Sequence, residues 1–435
     1  MAESVQTIDE GTESLLDLNE FFFTPTEDIV MIEGSGIYLK DNNGKEYIDC
    51  ASATFNLSLG YSHPDVINAV KEQADKLIHV TSSYMTNPVG NLVKKLIEVS
   101  PEGLSKVHLK ISGGSTANEG AIKMAQHYNG KTDVISLFRS HVGQTIFTMN
   151  ASGNSFRREP FHLGQPGIVH VPPAYCYRCF YNQKPETCGM LCVERINDFI
   201  DYASSGQVSS MIVEPILGNG DNITPPAAYF PALRKLCDER NITLIFDEIQ
   251  TGIGRTGHMF AAQYYGVTPD IITTAKGLGG TGFQVAAIIT KPEYAAMEGH
   301  HHSFTYGSNL LSAAAAVKTL EIVWEKSFLQ NVADVGKYIM KRLWKLQEIY
   351  SVIGDVRGVG LMIGIEIVDD ENNPDVNLTG YIKKKAFEYG LIMRTSRYGY
   401  GNVLKIRPPL TITMEQADEL CNRLESCFNQ IFRKQ

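Results

Sequence analysis

The sequence has no long hydrophobic run and no excess of positive charge. No apolar stretch approaches the roughly 20 residues that a helix needs to cross a bilayer. The 435 residues include 39 Lys and Arg against 48 Asp and Glu, so the net charge is −9. Because nucleic acids and anionic membranes select basic proteins, we predict neither as a partner. The acidic, polar N-terminus is unlike a signal peptide, which predicts a cytoplasmic protein.

Internal repeats and low-complexity linkers are also missing from the sequence. Short apolar segments alternate instead with segments of helical periodicity, which predicts an α/β fold with a mostly parallel central sheet. A chain of 435 residues exceeds one usual core, so we predict a large domain over 61–318 and a small α+β domain from 1–60 and 319–435. The predicted strands of the central sheet are Val107–Ile111, Val134–Leu137, Met211–Glu214, Thr243–Asp247, Ile271–Thr274 and Val285–Thr290.

One lysine stands where α/β folds bind their ligands. The segment from Ile271 reads as a short buried strand that leads to Lys276 and then to a run of glycines. Open α/β sheets place ligands at the carboxyl ends of their strands. An amine held there among apolar neighbours has a lowered pKa, which favours a Schiff-base nucleophile; the alternative is a solvated lysine that caps the strand.

Three further stretches carry polar groups at comparable positions. Gly113–Thr116 lead from a predicted strand into a helix, where they can hold a phosphate or simply cap the helix. Asp247 ends an apolar strand, where its carboxylate can bond a protonated pyridine nitrogen, cap a helix or pair with Arg255. Arg407 precedes two prolines, and a guanidinium held there can bind a carboxylate or pack on the surface.

The order of these motifs is typical of one family. Along the chain come the glycine/hydroxyl loop, Asp-Glu-x-x-x-Gly-x-Gly-Arg-x-Gly, Ala-Lys-Gly-x-Gly-Gly, Thr-Tyr-Gly and Arg-Pro-Pro. From about Gly36 to Arg407 the sequence resembles the class III aminotransferases, which are pyridoxal-phosphate enzymes of fold type I. The resemblance implies that fold, the cofactor pyridoxal 5'-phosphate and a homodimer.

The resemblance also implies how the cofactor ring is bound. Lys276 would carry the cofactor as a Schiff base and move the proton of the substrate carbon. Asp247 would keep the pyridine nitrogen protonated, and Gln250 would bond the ring hydroxyl. The family usually has an aromatic residue over the ring, and this chain has His141 at that position.

The phosphate of the cofactor would be bound by two segments. Gly114, Ser115 and Thr116 belong to the glycine/hydroxyl loop of the same chain. Thr305 resembles the threonine that reaches the phosphate of the neighbouring subunit, which implies an obligate dimer.

Glu214 and Arg407 resemble the pair that lets these enzymes accept two different substrates. The arginine binds the α-carboxylate of the donor, here L-glutamate, and pairs with the glutamate when the other substrate has no carboxylate. Gln144 stands where 4-aminobutyrate enzymes have an arginine, which argues against ω-amino acids. We therefore predict a neutral or cationic carbonyl acceptor, such as the 6'-oxo amino sugar aminated in aminoglycoside antibiotic biosynthesis.

Three alternatives to this function stay open. The first is a pyridoxal-phosphate epimerase or isomerase of the same fold, and the second is an ω-amino acid:2-oxo acid aminotransferase. The third, a metal-binding or redox-sensing protein on an inactive scaffold, is disfavoured because Lys276, Asp247 and Arg407 are all intact.

Half of the eight cysteines lie in one short segment. Cys176, Cys179, Cys188 and Cys192 have the spacing C-x2-C-x8-C-x3-C, which suits a structural zinc ion or an iron–sulfur cluster, or else free thiols in a surface loop. The three histidines at 300–302 are predicted to form a solvated loop at the mouth of the active site.

Overall fold

The computed structural model describes residues 29–432 except residues 160, 162, 163, 165, 397 and 398. Residues 1–28 of the predicted segment 1–60 therefore lie outside the described residues. Within the described part of the chain, the strands form three sheets, of seven, four and four strands. None of the helices described there is both long and apolar enough to cross a membrane.

The described chain begins with three short antiparallel strands. They are β1 (Met31–Ser35), β2 (Tyr38–Asp41) and β3 (Glu46–Asp49). They are followed by the strands of the central sheet, which are β4 (Lys106–His108), β5 (Asp133–Leu137), β6 (Ile168–Val171), β7 (Val208–Val213), β8 (Thr243–Asp247), β9 (Ile271–Thr274) and β10 (Ala287–Thr290).

The central sheet has the strand order β4-β10-β9-β8-β7-β5-β6. Strands β9, β8, β7, β5 and β6 are parallel neighbours, whereas β10 runs antiparallel to both β9 and β4. The predicted α/β fold with a mostly parallel sheet is confirmed, and the single reversed strand makes the sheet mixed. The carboxyl ends of β7, β8 and β9 consequently lie side by side at one edge.

The helices of the described chain are distributed along its whole length. They are α1 (Ser52–Phe55), α2 (Pro64–Ala74), α3 (Asn87–Val99), α4 (Gly114–Asn129), α5 (Ile146–Ala151), α6 (Leu191–Glu194), α7 (Ile196–Ala203), α8 (Tyr229–Arg240), α9 (Ala261–Tyr265), α10 (Leu310–Val323), α11 (Lys326–Ile349), α12 (Val376–Glu388) and α13 (Met414–Phe432).

Apolar side chains cover both faces of the central sheet. Side chains alternate between the faces of a strand, so Ile245 of β8 packs on one face while Leu244 and Phe246 pack on the other. Ala117 and Ala121 of α4 cover the first face, and residues of α8 and α10 cover the second. Burial on both faces explains why these strands read as continuous apolar runs.

A second core joins residues from both ends of the chain. Its strands are β11 (Ile353–Val359), β12 (Met362–Ile367), β13 (Leu391–Ile392), β14 (Arg394–Thr395) and β15 (Val403–Ile406). Four of them form the antiparallel sheet β11-β12-β15-β14, while β13 pairs in parallel with β3. Ile37, Ile48 and Cys50 pack in this core against residues of α11 and α13. The domain boundaries near residues 60 and 318 stay a prediction.

Candidate functional site

A cavity of about 320 Å³ lies at the carboxyl ends of β7, β8 and β9. The predicted site residues that line it are Gly114, Ser115, His141, Glu214, Asp247, Gln250 and Lys276. Thr116, Thr305 and Arg407 are not part of this lining. Residues that are far apart in the sequence therefore meet at one sheet edge, because most of them follow or end a strand of the parallel part of the sheet.

Lys276 follows β9 and begins a short 3-10 turn, Lys276–Gly279. Its backbone φ of 41° lies in the left-handed region, which is uncommon for a residue with a side chain. Burial lowers the pKa of the Lys276 amine to about 8, and the negative charges of Asp247 and Glu214 oppose that shift. Near neutral pH the unprotonated, nucleophilic form of this amine is therefore far more populated than in an ordinary lysine.

Asp247 ends β8 and is almost completely buried. Burial raises the pKa of its carboxyl to about 7, and the negative charge of Glu214 adds to the shift. Oδ1 accepts a hydrogen bond from the Ile249 N–H at 3.1 Å. The alternative partner Arg255 is excluded, since its guanidinium donates instead to backbone carbonyls in another part of the structure.

Asn118, which is not among the predicted site residues, holds Asp247 in place. Its Nδ2 donates to Asp247 Oδ2 and to the Val142 carbonyl, both at 2.7 Å, and its Oδ1 accepts from Thr273 at 2.6 Å. A fully buried asparagine needs all of these partners. The signal that could have found it is an amide on the apolar face of α4, next to Ala117 and one turn before Ala121.

Glu214 follows β7 and is held by backbone groups. Its carboxylate accepts from the N–H groups of His141 at 2.8 Å and Gly218 at 2.9 Å, and burial raises its pKa. Burial, followed by the positive charges of Lys276 and Arg157, lowers the pKa of His141 to about 3. The His141 imidazole is therefore neutral at physiological pH and presents an uncharged ring to the cavity.

The N-terminus of α4 opens on the same cavity through Gly114 and Ser115. A helix of this length carries partial positive charge at its N-terminus, which favours an anionic group such as phosphate. Thr116 has a different contact from the one predicted, since its hydroxyl accepts from the N–H groups of Ser112 and Gly113 at 3.1 Å. Thr116 thus shapes the loop, and direct phosphate binding by its side chain stays a prediction.

Arg407 lies directly behind the cavity wall. Its guanidinium donates to Gln250 Oε1 at 2.7 Å, to the Gly218 carbonyl and to Asn222 Oδ1. Burial, together with the positive charge of Arg255, lowers the pKa of Arg407 to about 9. No ion pair with Glu214 forms among the residues that the structure covers. The structure therefore brings the predicted pair close together without a direct contact, and Gln250 faces Arg407.

Thr305 is exposed, in the loop that precedes α10. The neighbouring His302 anchors this loop to α4, because its Nε2 lies 2.7 Å from the Thr116 carbonyl oxygen. His300 and His301 are exposed as predicted, but His302 is only 3% exposed. The prediction of a solvated loop is therefore wrong for His302. The reach of Thr305 into a neighbouring subunit stays a prediction.

The cysteine segment lies away from this site. Cys176, Cys179, Cys188 and Cys192 are free and partly buried, and they line a small cavity of their own. Among the described residues, no group of three or more His, Cys, Asp or Glu side chains is arranged to hold a metal ion. The predicted zinc ion or iron–sulfur cluster is therefore not supported, and the free thiols of the alternative interpretation fit the geometry.

The raised pKa of Asp247 predicts how cofactor-free protein responds to pH. Its folded pKa of about 7 exceeds the ordinary 3.8, so the stability it contributes is present below about pH 4 and lost as pH rises through 7. Asp247→Asn removes this loss. Urea unfolding gives the free energy of unfolding of the variant and of the wild type at about pH 5 and about pH 8. We expect the difference, variant minus wild type, to be on the order of 2–4 kcal/mol larger at the higher pH.

The matched control for this prediction is Asp370→Asn, which changes an exposed carboxylate of the same kind. We expect its pH dependence to follow that of the wild type. An Asp247→Asn variant whose stability difference from wild type is the same at both pH values would contradict the assigned environment of Asp247.

Known proteins share this fold over nearly the whole chain. The family model described as aminotransferase class-III matches residues 23–428. The leucine/methionine racemase of Thermococcus litoralis is 37% identical over 403 residues, which cover 91% of this chain and 90% of that protein. The acetylornithine aminotransferase of Methanocaldococcus jannaschii is 36% identical over 410 residues, which cover 93% of this chain and 94% of that protein.

A solved structure of a transaminase has the same fold as this chain. An amine transaminase from an uncultivated Pseudomonas species, crystallised in its PLP-bound form, superimposes with a TM-score of 0.86 and 30% identity. The match covers 92% of this chain and 95% of that chain. The predicted fold type I is thereby confirmed, and pyridoxal phosphate is the cofactor expected at the cavity. The chain belongs to the class-III aminotransferase family.

Proposed function

We propose that the protein transfers the amino group of L-glutamate to a carbonyl compound, with pyridoxal phosphate as its cofactor. The observation that carries the proposal is the cavity in which a lysine of lowered pKa faces a buried carboxylate, beside the N-terminus of α4. These groups match the three parts of the cofactor, which are an aldehyde, a basic ring nitrogen and a phosphate.

Each residue of the cavity has a distinct task in this proposal. When bound, pyridoxal phosphate supplies the electron sink for the negative charge that develops on the substrate carbon. Lys276 would hold the aldehyde of the cofactor and would take and return the proton at that carbon. Asp247, held by Asn118, would bond the ring nitrogen, and the neutral His141 would lie beside the ring.

Lys276→Ala tests the central assignment. Without the amine, the cofactor cannot be attached and no group remains to move the proton, so turnover should fall by roughly 10³-fold or more. The borohydride-sensitive yellow absorbance of the protein should disappear as well. Lys341→Ala, which changes an exposed lysine of α11, should retain both properties. Turnover of Lys276→Ala within a few-fold of wild type would rule out this role.

The choice of glutamate as donor rests on Arg407 and Glu214. Both side chains contact the backbone of Gly218, whose carbonyl accepts from Arg407 and whose N–H donates to Glu214. In this proposal a donor carboxylate replaces Gln250 on the guanidinium and forms a bidentate pair. Glu214 moves toward Arg407 when the second substrate brings no carboxylate, since an unpaired buried arginine is costly.

Arg407→Ala should impair the two half-reactions unequally. The reaction with glutamate should lose about 2–5 kcal/mol of transition-state stabilisation, as expected for one partner of a buried charge pair. The transfer to a carbonyl acceptor should lose much less. Stopped-flow measurement of each half-reaction provides the comparison, and equal losses would mean that the acceptor also carries a carboxylate at this site.

A racemase is the second candidate, and the relative from Thermococcus litoralis named as a leucine/methionine racemase favours it. A racemase needs one amino acid and no acceptor, and it yields the D-enantiomer. Incubation with single L-amino acids, analysed by chiral chromatography, separates the two functions. Support for an oxidised amino sugar as acceptor is confined to the sequence, and none of the relatives named above points to antibiotic biosynthesis.

The proposed enzyme is a homodimer in which Thr305 contributes to the cofactor site of the other subunit. A cluster of exposed apolar side chains near Thr305 supports this proposal: Met85 is 86% exposed and Tyr306 is 74% exposed. Tyr306 packs beside His79, so the segment that carries Met85 adjoins the Thr305 loop. Exposed apolar groups that cluster in this way favour an association surface.

Met85→Asp should weaken the dimer, because it would bury a charge in the proposed interface. Analytical ultracentrifugation should detect a monomer fraction for this variant at concentrations where the wild type is dimeric. Met414→Asp, a partly exposed methionine at the start of α13, serves as the control and should remain dimeric. A wild-type protein that sediments as a monomer would end the proposal.

A further inference from the structure

Asn222 is a buried amide that contacts the guanidinium of Arg407. The residue is fully buried, and its Oδ1 accepts a hydrogen bond from Arg407 Nη2 at 2.5 Å. Gln250, the other side-chain amide on this guanidinium, lines the cavity, whereas Asn222 lies behind it and outside the lining. The role proposed above for Arg407 makes no use of the contact with Asn222.

A second hydrogen bond fixes the orientation of the Asn222 side chain. Its Nδ2 donates to the carbonyl of Met362, the first residue of β12, at 3.1 Å. Because one end of the amide donates and the other end accepts, this bond turns Oδ1 toward Arg407. An ionised aspartate at the same position would have no hydrogen to donate and would place an oxygen against the Met362 carbonyl.

The surrounding backbone leaves room for this side chain. Gly364 lies within β12, and a Cβ added there would lie 2.9 Å from the Asn222 Cβ. A glycine inside a strand weakens the strand and marks the close approach of another part of the chain. Asn222 itself has a φ of 55°, in the left-handed region that asparagine adopts more readily than most residues. Both features indicate a place that is specific for asparagine.

The preceding residue, Asp221, directs its negative charge to a different arginine. Its Oδ2 pairs with the Arg139 guanidinium at 2.5 Å. Its backbone carbonyl accepts from Arg357 Nε at 3.1 Å, and this bond holds the loop against the small sheet. Of these two consecutive side chains, the carboxylate therefore contacts Arg139 and the uncharged amide contacts Arg407.

Uncharged acceptors suit an arginine that has to bind the carboxylate of a substrate. The hydrogen-bond acceptors of Arg407 among the described residues are the Gln250 amide, the Gly218 carbonyl and the Asn222 amide, and all three are uncharged. Such bonds fix the direction of the guanidinium and leave its positive charge uncompensated. A carboxylate in place of the Asn222 amide would form a buried ion pair with Arg407, and a substrate would have to compete with it.

We propose that Asn222 is a positioning residue, which holds Arg407 toward the cavity and leaves its positive charge available to the α-carboxylate of the amino donor. The inference rests on the proposed function for the identity of that carboxylate. Its consequence is that the acceptor at this position must be uncharged. A role in packing alone would have the opposite consequence, since aspartate keeps the shape of the side chain and would disturb the site less than alanine.

Glutarate tests the proposal on the holoenzyme, because it is glutamate without the reactive amine. Isothermal titration calorimetry gives its affinity for the wild type and for each variant. We expect Asn222→Asp to weaken glutarate binding by about 30-fold or more, since a fixed carboxylate compensates the charge of Arg407. Asn222→Ala removes only the support of the guanidinium and should weaken binding by about three- to tenfold. An Asn222→Asp protein that binds glutarate as well as Asn222→Ala does would overturn the proposal.

Arg407→Ala separates a failure of this inference from a failure of the proposed function. In the Arg407→Ala background, Asn222→Asp should change glutarate binding by less than about threefold, because Asn222 acts only through Arg407. If Arg407→Ala alone leaves glutarate binding unchanged, the role of Arg407 in the proposed function is wrong and the inference fails with it. If Arg407→Ala weakens binding and Asn222→Asp does not, the inference alone is overturned.

Asn197→Asp is the matched control. Asn197 is partly exposed on α7 and also accepts from an arginine, with its Oδ1 2.8 Å from Arg240 Nε, but it does not line the cavity. We expect Asn197→Asp to bind glutarate as the wild type does. Where Asn222→Asp fails to fold, Asn222→Ala still tests the inference, because its loss of affinity should vanish in the Arg407→Ala background. A loss that persists there would contradict the positioning role.

Discussion

The burial of ionisable groups at one edge of the central sheet is the constraint on which the rest of the structure depends. Lys276, Asp247 and Glu214 meet there because parallel strands bring their carboxyl ends to the same edge. Burial opposes the charge of each group, and their mutual interactions decide how far each pKa moves. Asn118 and the backbone N–H groups stabilise the ionised carboxylates of Asp247 and Glu214 by hydrogen bonds.

The central sheet was predictable because its strands are buried on both faces. Thr243–Asp247 and Ile271–Thr274 have the limits that their apolar runs predict. Ile168–Val171 was missed, since this edge strand is only four residues long and contains a histidine. The reversed direction of Ala287–Thr290 was also missed, because a hydrophobic pattern carries no information about the direction of a strand.

The site was predictable where a motif is local and obscure where it depends on the tertiary fold. The glycine loop and Lys276 each sit at the junction of a strand and a turn, which the sequence pattern marks directly. The environment of Arg407 depends instead on Gln250, which lies 157 positions earlier in the chain. No local pattern could reveal that contact, and the cysteine spacing conversely suggested a metal cluster that the described residues do not form.

The parallel pairing of β3 with β13 has a consequence for synthesis of the protein. Ile48 pairs with Leu391, so a strand made near the start of translation waits for a partner made near its end. At about 5–20 residues per second, that delay is on the order of tens of seconds. During this time the apolar residues around Ile48 lack their core, and the open edge of β3 can pair with other chains. The N-terminal strands of the nascent chain therefore stay open to such pairing for most of the time that translation takes.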